Sequence, residues 1–438
     1  MASALSIHRA PPAVVPLRFL LTAPWFAVAA GGLLLWAGPE ALDSRWTGAV
    51  LAVTHLLTLG FMGHAMLGAL LQLLPVAFGV PLPRIGAVAA VAHPALALGA
   101  LCLSAAFLAA APVLFAAAAL LLALALGVYL AAVAIGILRQ RMRDPLARVI
   151  SVALLGLLVT VLLGVLLASG LAGAPLPLLA LTHLHATWGI VGWTLLLVLG
   201  AALALVPMFQ MTSSYPRWLR GGFSAAMLVA LIAWSVALWF EWNALRRILQ
   251  WLLAGGAGTI GIATLVLQQR GRRRLQPDVT FSLWRLGMLC LCAAVALWIV
   301  GETLAVQSTQ PYALLLGVML LPGFAFCVIA GMLYKIVPFL LWLTLQMHSG
   351  GRPPSVKEIL PEERGEPQYW THMCAIVLLA AAVTLWSGFV YPAAMAFIAS
   401  SAMLGGSLTR AARFARTRMA EAKPLPRGAD RSSWKSIS

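Results

Sequence analysis

The stretch LGFMGHAMLGALLQLLPV occupies residues 59–76, and its pattern returns twice further along the chain. Residues 191–208 read VGWTLLLVLGAALALVPM, and residues 322–339 read PGFAFCVIAGMLYKIVPF. Each copy has a glycine followed by an aromatic residue, a second glycine eight positions later and a proline seven positions after that. The copies are offset by 132 and 131 residues, and such regular spacing predicts a threefold internal repeat.

The composition of the chain is typical of an integral membrane protein. Of its 438 residues, 62% are hydrophobic and 9% are charged, whereas a soluble domain carries about 25% charged residues. Apolar runs of roughly 20 residues, the length that crosses a bilayer, number twelve. They are predicted at 19–37, 47–78, 85–109, 112–138, 148–170, 176–209, 219–240, 247–268, 283–305, 311–345, 368–388 and 391–409.

The offset between the repeats therefore corresponds to four spans. We expect an all-α membrane protein whose twelve transmembrane helices form three pseudo-threefold-related four-helix units, at about 19–138, 148–268 and 283–409. A cytoplasmic N-terminal segment, 1–18, precedes this transmembrane domain of 19–410. The basic cytoplasmic tail, 411–438, is predicted to be largely disordered.

The formal net charge of +17 indicates membrane topology rather than nucleic-acid binding. With a cytoplasmic N-terminus, the loops on the opposite side contain only Arg45, Arg246 and Arg247 of the 29 lysines and arginines. This distribution follows the positive-inside rule and predicts cytoplasmic N- and C-termini in a bacterial inner membrane. Lys335, near the cytoplasmic end of the tenth span, is expected to extend its ammonium group to the interface.

Histidine is the main candidate for chemistry within the spans, because ionisable groups in a bilayer are costly and mark functional sites. His55 precedes its repeat glycine by five residues, and His185 precedes the equivalent glycine by seven. At about 1.5 Å per residue, the depths of the two histidines in the membrane differ by about 3 Å. A difference of two residues also rotates the side-chain direction by about 200°, so the two side chains are expected to face each other across one pore. Two facing neutral imidazoles are axial ligands for a low-spin haem, and hydrogen bonding within the bundle is the alternative.

His183 and His64 are the other candidates for cofactor binding. His183 lies two residues from His185 and points towards a neighbouring pore or the lipid, and His64 is half a turn away from the direction of His55. His93 and His372 lie closer to the cytoplasmic ends of their spans. For these two histidines we expect structural hydrogen bonds.

The segments THLLTLGFMGHAMLG (54–68) and 182–211, which begins THLHATWGIVGW and ends LVPMFQM, resemble histidine-bearing helices of the haem–copper oxidase superfamily. Twelve spans, cytoplasmic termini and a threefold plan are similar to subunit I of these oxidases, and the two segments resemble its divergent non-oxidase branch, the NnrS family. NnrS proteins contain haem and copper and are tied to nitric oxide metabolism. The resemblance implies haem b, with copper as an alternative cofactor, and metal ligation by His55 and His185.

The resemblance does not extend to the histidines that oxidase chemistry needs. The oxidases carry a histidine pair on the seventh span and a His-x-His on the tenth, and this chain has no histidine in either span. The resemblance therefore implies a relative that is not a terminal oxidase, serving in electron transfer, nitric oxide or respiratory-stress handling, or cofactor delivery. Besides the lipid bilayer, it implies respiratory-chain components or a c-type cytochrome as partners. A small-solute transporter and a cofactor-free assembly partner of a respiratory complex are the alternatives.

Overall fold

The computed structural model describes residues 10–140, 145–270, 278–307, 309–348 and 354–421. Within these ranges the chain is helical, and they contain no β-strand. The protein therefore has the all-α fold that the sequence predicts. The disorder predicted for the tail concerns mainly 422–438, which lies outside the described residues, and so do parts of the predicted cytoplasmic loops.

Ten helices within the described ranges are long and apolar enough to cross a membrane. We number these ten and two further helices in chain order, and we use "outer end" for the end of the bundle where α1 finishes. They are α1 (Val14–Ala37), α2 (Gly48–Phe78), α3 (Ile85–Ala109), α4 (Pro112–Gln140), α5 (Pro145–Leu171), α6 (Leu178–Phe209), α7 (Phe223–Trp239), α8 (Asn243–Arg270), α9 (Val279–Leu304), α10 (Pro311–Met347), α11 (Gly365–Thr384) and α12 (Val390–Glu421).

The helices α7 and α11 are the two that do not belong to the group of ten. The first has 17 residues and the second has 20. They lie where the sequence predicts the seventh and eleventh spans, at 219–240 and 368–388. That these two helices also cross the membrane stays a prediction.

The helical domain extends beyond its predicted limits at both ends. Helix α1 begins at Val14, inside the expected N-terminal segment 1–18, and α12 continues to Glu421, inside the expected tail 411–438. The extension of α12 has a physical reason, because Ala411 and Ala415 are buried in the core and bind this part of the helix to its neighbours.

Three π-helical segments lie within α2, α6 and α10, at Leu56–Gly63, Trp188–Leu195 and Met319–Phe326. Their first residues are 132 and 131 positions apart, which are the offsets of the glycine pattern. The wider turn brings side chains to carbonyl groups five residues back, so Thr194 Oγ1 donates to Gly189 O at 2.9 Å. Segments of this kind are rare and occur mostly at functional sites, and the sequence did not predict them.

The repeated glycines allow α2, α6 and α10 to pack closely against the preceding helix. A Cβ atom on Gly68 would lie 2.7 Å from Phe19 of α1. A Cβ atom on Gly331 would lie 3.0 Å from Trp284 of α9. The second glycine of the first and third copies therefore lies at the same kind of helix contact.

The core is densest along the inner parts of α2, α6 and α10. Every residue of 60–68, 192–200 and 322–334 is buried, whereas many residues before these stretches keep accessible surface. Phe61 and Phe326 stack at the centre, with ring centroids 4.5 Å apart. The outer parts of α2 and α6, where more residues keep accessible surface, carry His55, His183 and His185.

Candidate functional site

The rings of His55 and His185 meet between α2 and α6. Their centroids are 6.4 Å apart, and the ring planes are inclined by 19°. His55 is the last residue before the π segment of α2, and His185 lies three residues before that of α6. Both side chains are half-buried. The repeat register predicts this meeting, and the structure brings the two rings together.

Each of the two rings is oriented by a backbone carbonyl group. His55 Nδ1 donates to Leu51 O at 2.8 Å, and His185 Nδ1 donates to Thr160 O at 3.0 Å. Because a carbonyl oxygen only accepts, the hydrogen bond places the proton on Nδ1 of each ring. In the neutral ring, Nε2 then carries a free lone pair, which is the form that binds a metal.

Helices α3 and α5 support this pair from two sides. Phe107 of α3 stacks on His55 with centroids 5.0 Å apart and planes inclined by 28°. Gly164 of α5 faces His185, where a Cβ atom would lie 3.1 Å from Cε1 of the ring. The site is therefore built from α2, α3, α5 and α6.

The distance between the two ring centres fits two imidazoles bound to one metal. An imidazole nitrogen lies about 2 Å from a bound metal and the ring centre roughly 1 Å further, so two rings on one metal have centres roughly 6 Å apart. No group of three His, Cys, Asp or Glu side chains suited to a metal occurs among the described residues. Two imidazoles suit a cofactor that brings its remaining ligands with it, as a porphyrin does.

His64 lies outside this pair, in a different environment. It is completely buried, and its ring stacks on Phe26 of α1 with centroids 5.0 Å apart. Its Nδ1 donates to Leu59 O at 3.1 Å, and the ring of His93 stands perpendicular to it at 5.4 Å. His64 is therefore separate from the pair of His55 and His185, and it is packed against α1 and α3.

His183 also lies apart from the pair. Its side chain is exposed, and the charges of Arg45 and Arg246 at the outer end act on it. Of the four residues predicted to bind a cofactor, the structure thus brings together His55 and His185. It does not bring His64 or His183 to them, because His183 faces outwards and His64 follows the π segment of α2.

The hydrogen bonds expected for His93 and His372 are present. The Thr22 hydroxyl donates to Arg18 O at 2.7 Å, so His93 Nε2 is the donor in its 3.0 Å bond with Thr22 Oγ1. His372 Nε2 donates to Pro322 O at 2.9 Å. These histidines tie α3 to α1 and α11 to the π segment of α10.

Lys335, expected to extend to the interface, forms an ion pair at the start of α9. Its Nζ lies 2.7 Å from Asp278 Oδ2, and that carboxylate also accepts from Phe281 N at the start of α9. Asp278 lies outside the predicted spans, so the ion pair could not be inferred from the residues of the spans alone.

Sequence reasoning also missed the supports of the histidine pair, Phe107, Thr160 and Gly164. One signal was available, because Gly156 and Gly164 are eight residues apart on α5, as the repeat glycines are. A Cβ atom on Gly156 would collide with the backbone of Gly192. This glycine stripe indicates the face of α5 that packs on α6.

No protein-family model matches the chain, and no curated protein is significantly similar to it. The chemistry of the site is therefore interpreted from its own residues, above all from His55 and His185.

Proposed function

We propose that this is a twelve-helix membrane protein built from three four-helix units, with α7 and α11 as the seventh and eleventh spans. The equal offsets of the π segments and of the glycine pattern support the three units. The repeated contacts of Gly68 with α1 and Gly331 with α9 support an equivalent role for the second helix of each unit. The basic side of the bundle then faces the cytoplasm of a bacterium.

Within this framework, His55 and His185 bind the iron of a haem b in the outer half of the membrane. The observation that carries this proposal is the pairing of two Nδ1-protonated imidazoles with ring centroids 6.4 Å apart. A histidine that ligates a metal usually donates its other N–H to a carbonyl or carboxylate group, as both rings do here. Copper bound by the same pair is the alternative occupant.

The protein residues bind and orient the cofactor, and the cofactor supplies one-electron transfer. Leu51 O and Thr160 O hold the protons on Nδ1, so both Nε2 atoms stay available for the metal. With His55 and His185 both bound to the iron, a gas molecule would have to displace one of the two imidazoles. Electron transfer is therefore the role that this arrangement favours over direct chemistry on nitric oxide.

The same residues argue against a terminal oxidase. Helices α7 and α10 contain no histidine over Phe223–Trp239 and Pro311–Met347. The further histidines of a second haem and a copper centre have no counterpart on these two helices. The proposal therefore places the chain in a non-oxidase branch resembling the NnrS family, with respiratory proteins or a c-type cytochrome as electron-transfer partners.

The test is the visible spectrum of the full-length protein, purified in detergent from cells supplied with a haem precursor. We expect a low-spin, six-coordinate haem b spectrum that sharpens on reduction with dithionite. Carbon monoxide should leave the reduced spectrum unchanged, because His55 and His185 would both remain bound to the iron. A folded protein without haem would contradict the proposal, and copper in place of haem would contradict the choice of cofactor.

A further inference from the structure

Three buried polar atoms between α11 and α12 have no hydrogen-bond partner among the described residues. They are His372 Nδ1, Gln368 Oε1 and Ser401 Oγ. All three residues have 0% exposed surface. Buried polar groups are almost always satisfied by protein or by ordered water, so three such atoms at one helix interface need an explanation.

The contacts of Gln368 and His372, together with the helical position of Ser401, place the three side chains at one part of this interface. Gln368 and His372 are one helical turn apart and share a face of α11. The amide nitrogen of Gln368 donates to Ser400 Oγ of α12 at 2.9 Å. The ring of His372 lies against Phe397 of α12, with centroids 5.7 Å apart. Ser401 lies one turn inwards from Phe397, at the level of Gln368.

The hydrogen-bonding capacity of the three atoms defines what fits between them. His372 Nε2 donates to Pro322 O, so Nδ1 is an acceptor in the neutral ring. Gln368 Oε1 is also an acceptor, and the Ser401 hydroxyl has a hydrogen to donate. A ligand that matches these three atoms must donate two hydrogen bonds and accept one. The Phe326 ring stacks on His372 with centroids 4.2 Å apart and covers one face of the imidazole.

We infer that an ordered water molecule binds at this position and joins His372, Gln368 and Ser401. A buried water typically makes about three hydrogen bonds, which is the number needed here. If the side-chain amide of Gln368 were flipped, the water would accept a hydrogen bond from the amide nitrogen and would still make three hydrogen bonds. Through His372 and Pro322 O, this water links the π segment of α10 to α11 and α12. The inference is independent of the haem proposal, because the water site contains neither His55 nor His185.

Hydroxyl-radical footprinting with an X-ray pulse tests this site in the full-length protein, since an ordered water produces radicals beside buried residues. We expect His372 and Phe397 to be oxidised several-fold faster than other buried residues are oxidised. Phe19 is the matched control for Phe397, because both rings are buried in the core. A short mixing step with oxygen-18 water before the pulse should leave oxygen-16 in the products at His372, because bound water exchanges slowly.

Two variants complete the test. The exchange Ser401→Ala, combined with Gln368→Leu, removes two partners of the water and should reduce labelling of His372 and Phe397 to the level of Phe19. The control Ser104→Ala, at a buried serine that donates to Ala100 O at 2.8 Å, should leave the labelling unchanged. Labelling of Phe397 no faster than that of Phe19 in the unaltered protein would overturn the inference without any variant, and so would full oxygen-18 incorporation at His372.

Discussion

Two backbone carbonyl groups determine which nitrogen of each imidazole in the candidate site is free to bind a metal. Leu51 lies one turn before His55, so α2 supplies the first carbonyl itself. The second comes from Thr160 of α5, 25 positions away from His185 in the sequence. Partners of this kind change metal affinity about 10- to 100-fold. His185 should therefore be the more sensitive of the two histidines to the packing of α5 against α6.

The exchange Gly164→Ala tests this dependence. The new Cβ atom would lie 3.1 Å from His185 Cε1, so the ring must shift and its hydrogen bond to Thr160 O must weaken. We expect haem affinity to fall about tenfold, measured as haem retained by the purified protein during titration with a haem acceptor. Gly127→Ala is the control, because a Cβ atom there meets no atom within 4 Å. Equal retention by the two variants would contradict the positioning role of Gly164.

The ion pair of Lys335 and Asp278 gives a second prediction at the residue scale. The Lys335 side chain is 20% exposed and that of Asp278 is 3% exposed, so Lys335→Met removes an ammonium group from beside a buried carboxylate. We expect a loss of about 3 kcal/mol in the free energy of unfolding, measured by denaturant titration in detergent. Adding Asp278→Asn should restore much of this loss.

The control for this prediction is Lys357→Met, whose partner is Glu362. The Lys357 side chain is 72% exposed, and such pairs contribute little to stability because water and salt screen them. If both lysine variants unfold at the same denaturant concentration as the unaltered protein, the buried pair has no stabilising role.

Contacts between residues on different helices were predictable only where the repeat supplied a common register. His55 and His185 could be compared in depth and direction because each lies at a known distance from an equivalent glycine. Thr160 and Phe107 lie on helices without the full pattern, so their contacts depend on tertiary packing that the sequence does not show, whereas the spacing of Gly156 and Gly164 does indicate a face of α5.

At the scale of elements, each π segment changes the direction in which the rest of its helix presents side chains. An ideal α-helix turns about 100° per residue, and a π segment turns less, so rotation counted from the sequence is reliable only on one side of it. His55 and His185 both precede their segments, which is why their relative direction could be predicted. His64 follows the segment of α2, and its contact with His93 was not foreseen.

Glycine exchanges test the close packing that accompanies these segments. In Gly68→Ala, the added methyl group would lie 2.7 Å from Phe19 Cβ, and overpacking of this kind costs about 1–3 kcal/mol. We expect a lower melting temperature in detergent. Gly86→Ala in α3 meets no atom within 4 Å and should instead leave stability unchanged or raise it slightly. A melting temperature for Gly68→Ala at or above that of Gly86→Ala would contradict the role of the repeat glycines.

At the scale of the whole molecule, the number of spans and their orientation rest on different evidence. Ten helices in the described ranges are long and apolar enough to cross a membrane, and the four-span repeat predicts that α7 and α11 cross it as well. Orientation rests on the unequal distribution of arginine and lysine between the two ends.

Cysteine labelling in intact cells tests this topology. Ala174, between α5 and α6, and Lys357, between α10 and α11, are both exposed. We expect a membrane-impermeant maleimide to label Ala174→Cys from the periplasm and to reach Lys357→Cys only after the membrane is opened. The unaltered chain controls for its own cysteines. The reverse pattern would show the opposite orientation, and labelling of both from outside would contradict the span count.

The haem spectra of four single variants test the proposed site most directly. We expect His55→Ala and His185→Ala each to abolish the bis-imidazole spectrum, because each removes one of the two nitrogen ligands. His93→Ala and His372→Ala should retain it, because those rings bond to Thr22 and Pro322 instead. Circular dichroism of each variant separates loss of ligand from loss of fold. A bis-imidazole spectrum that survives in folded His55→Ala and His185→Ala would contradict the account.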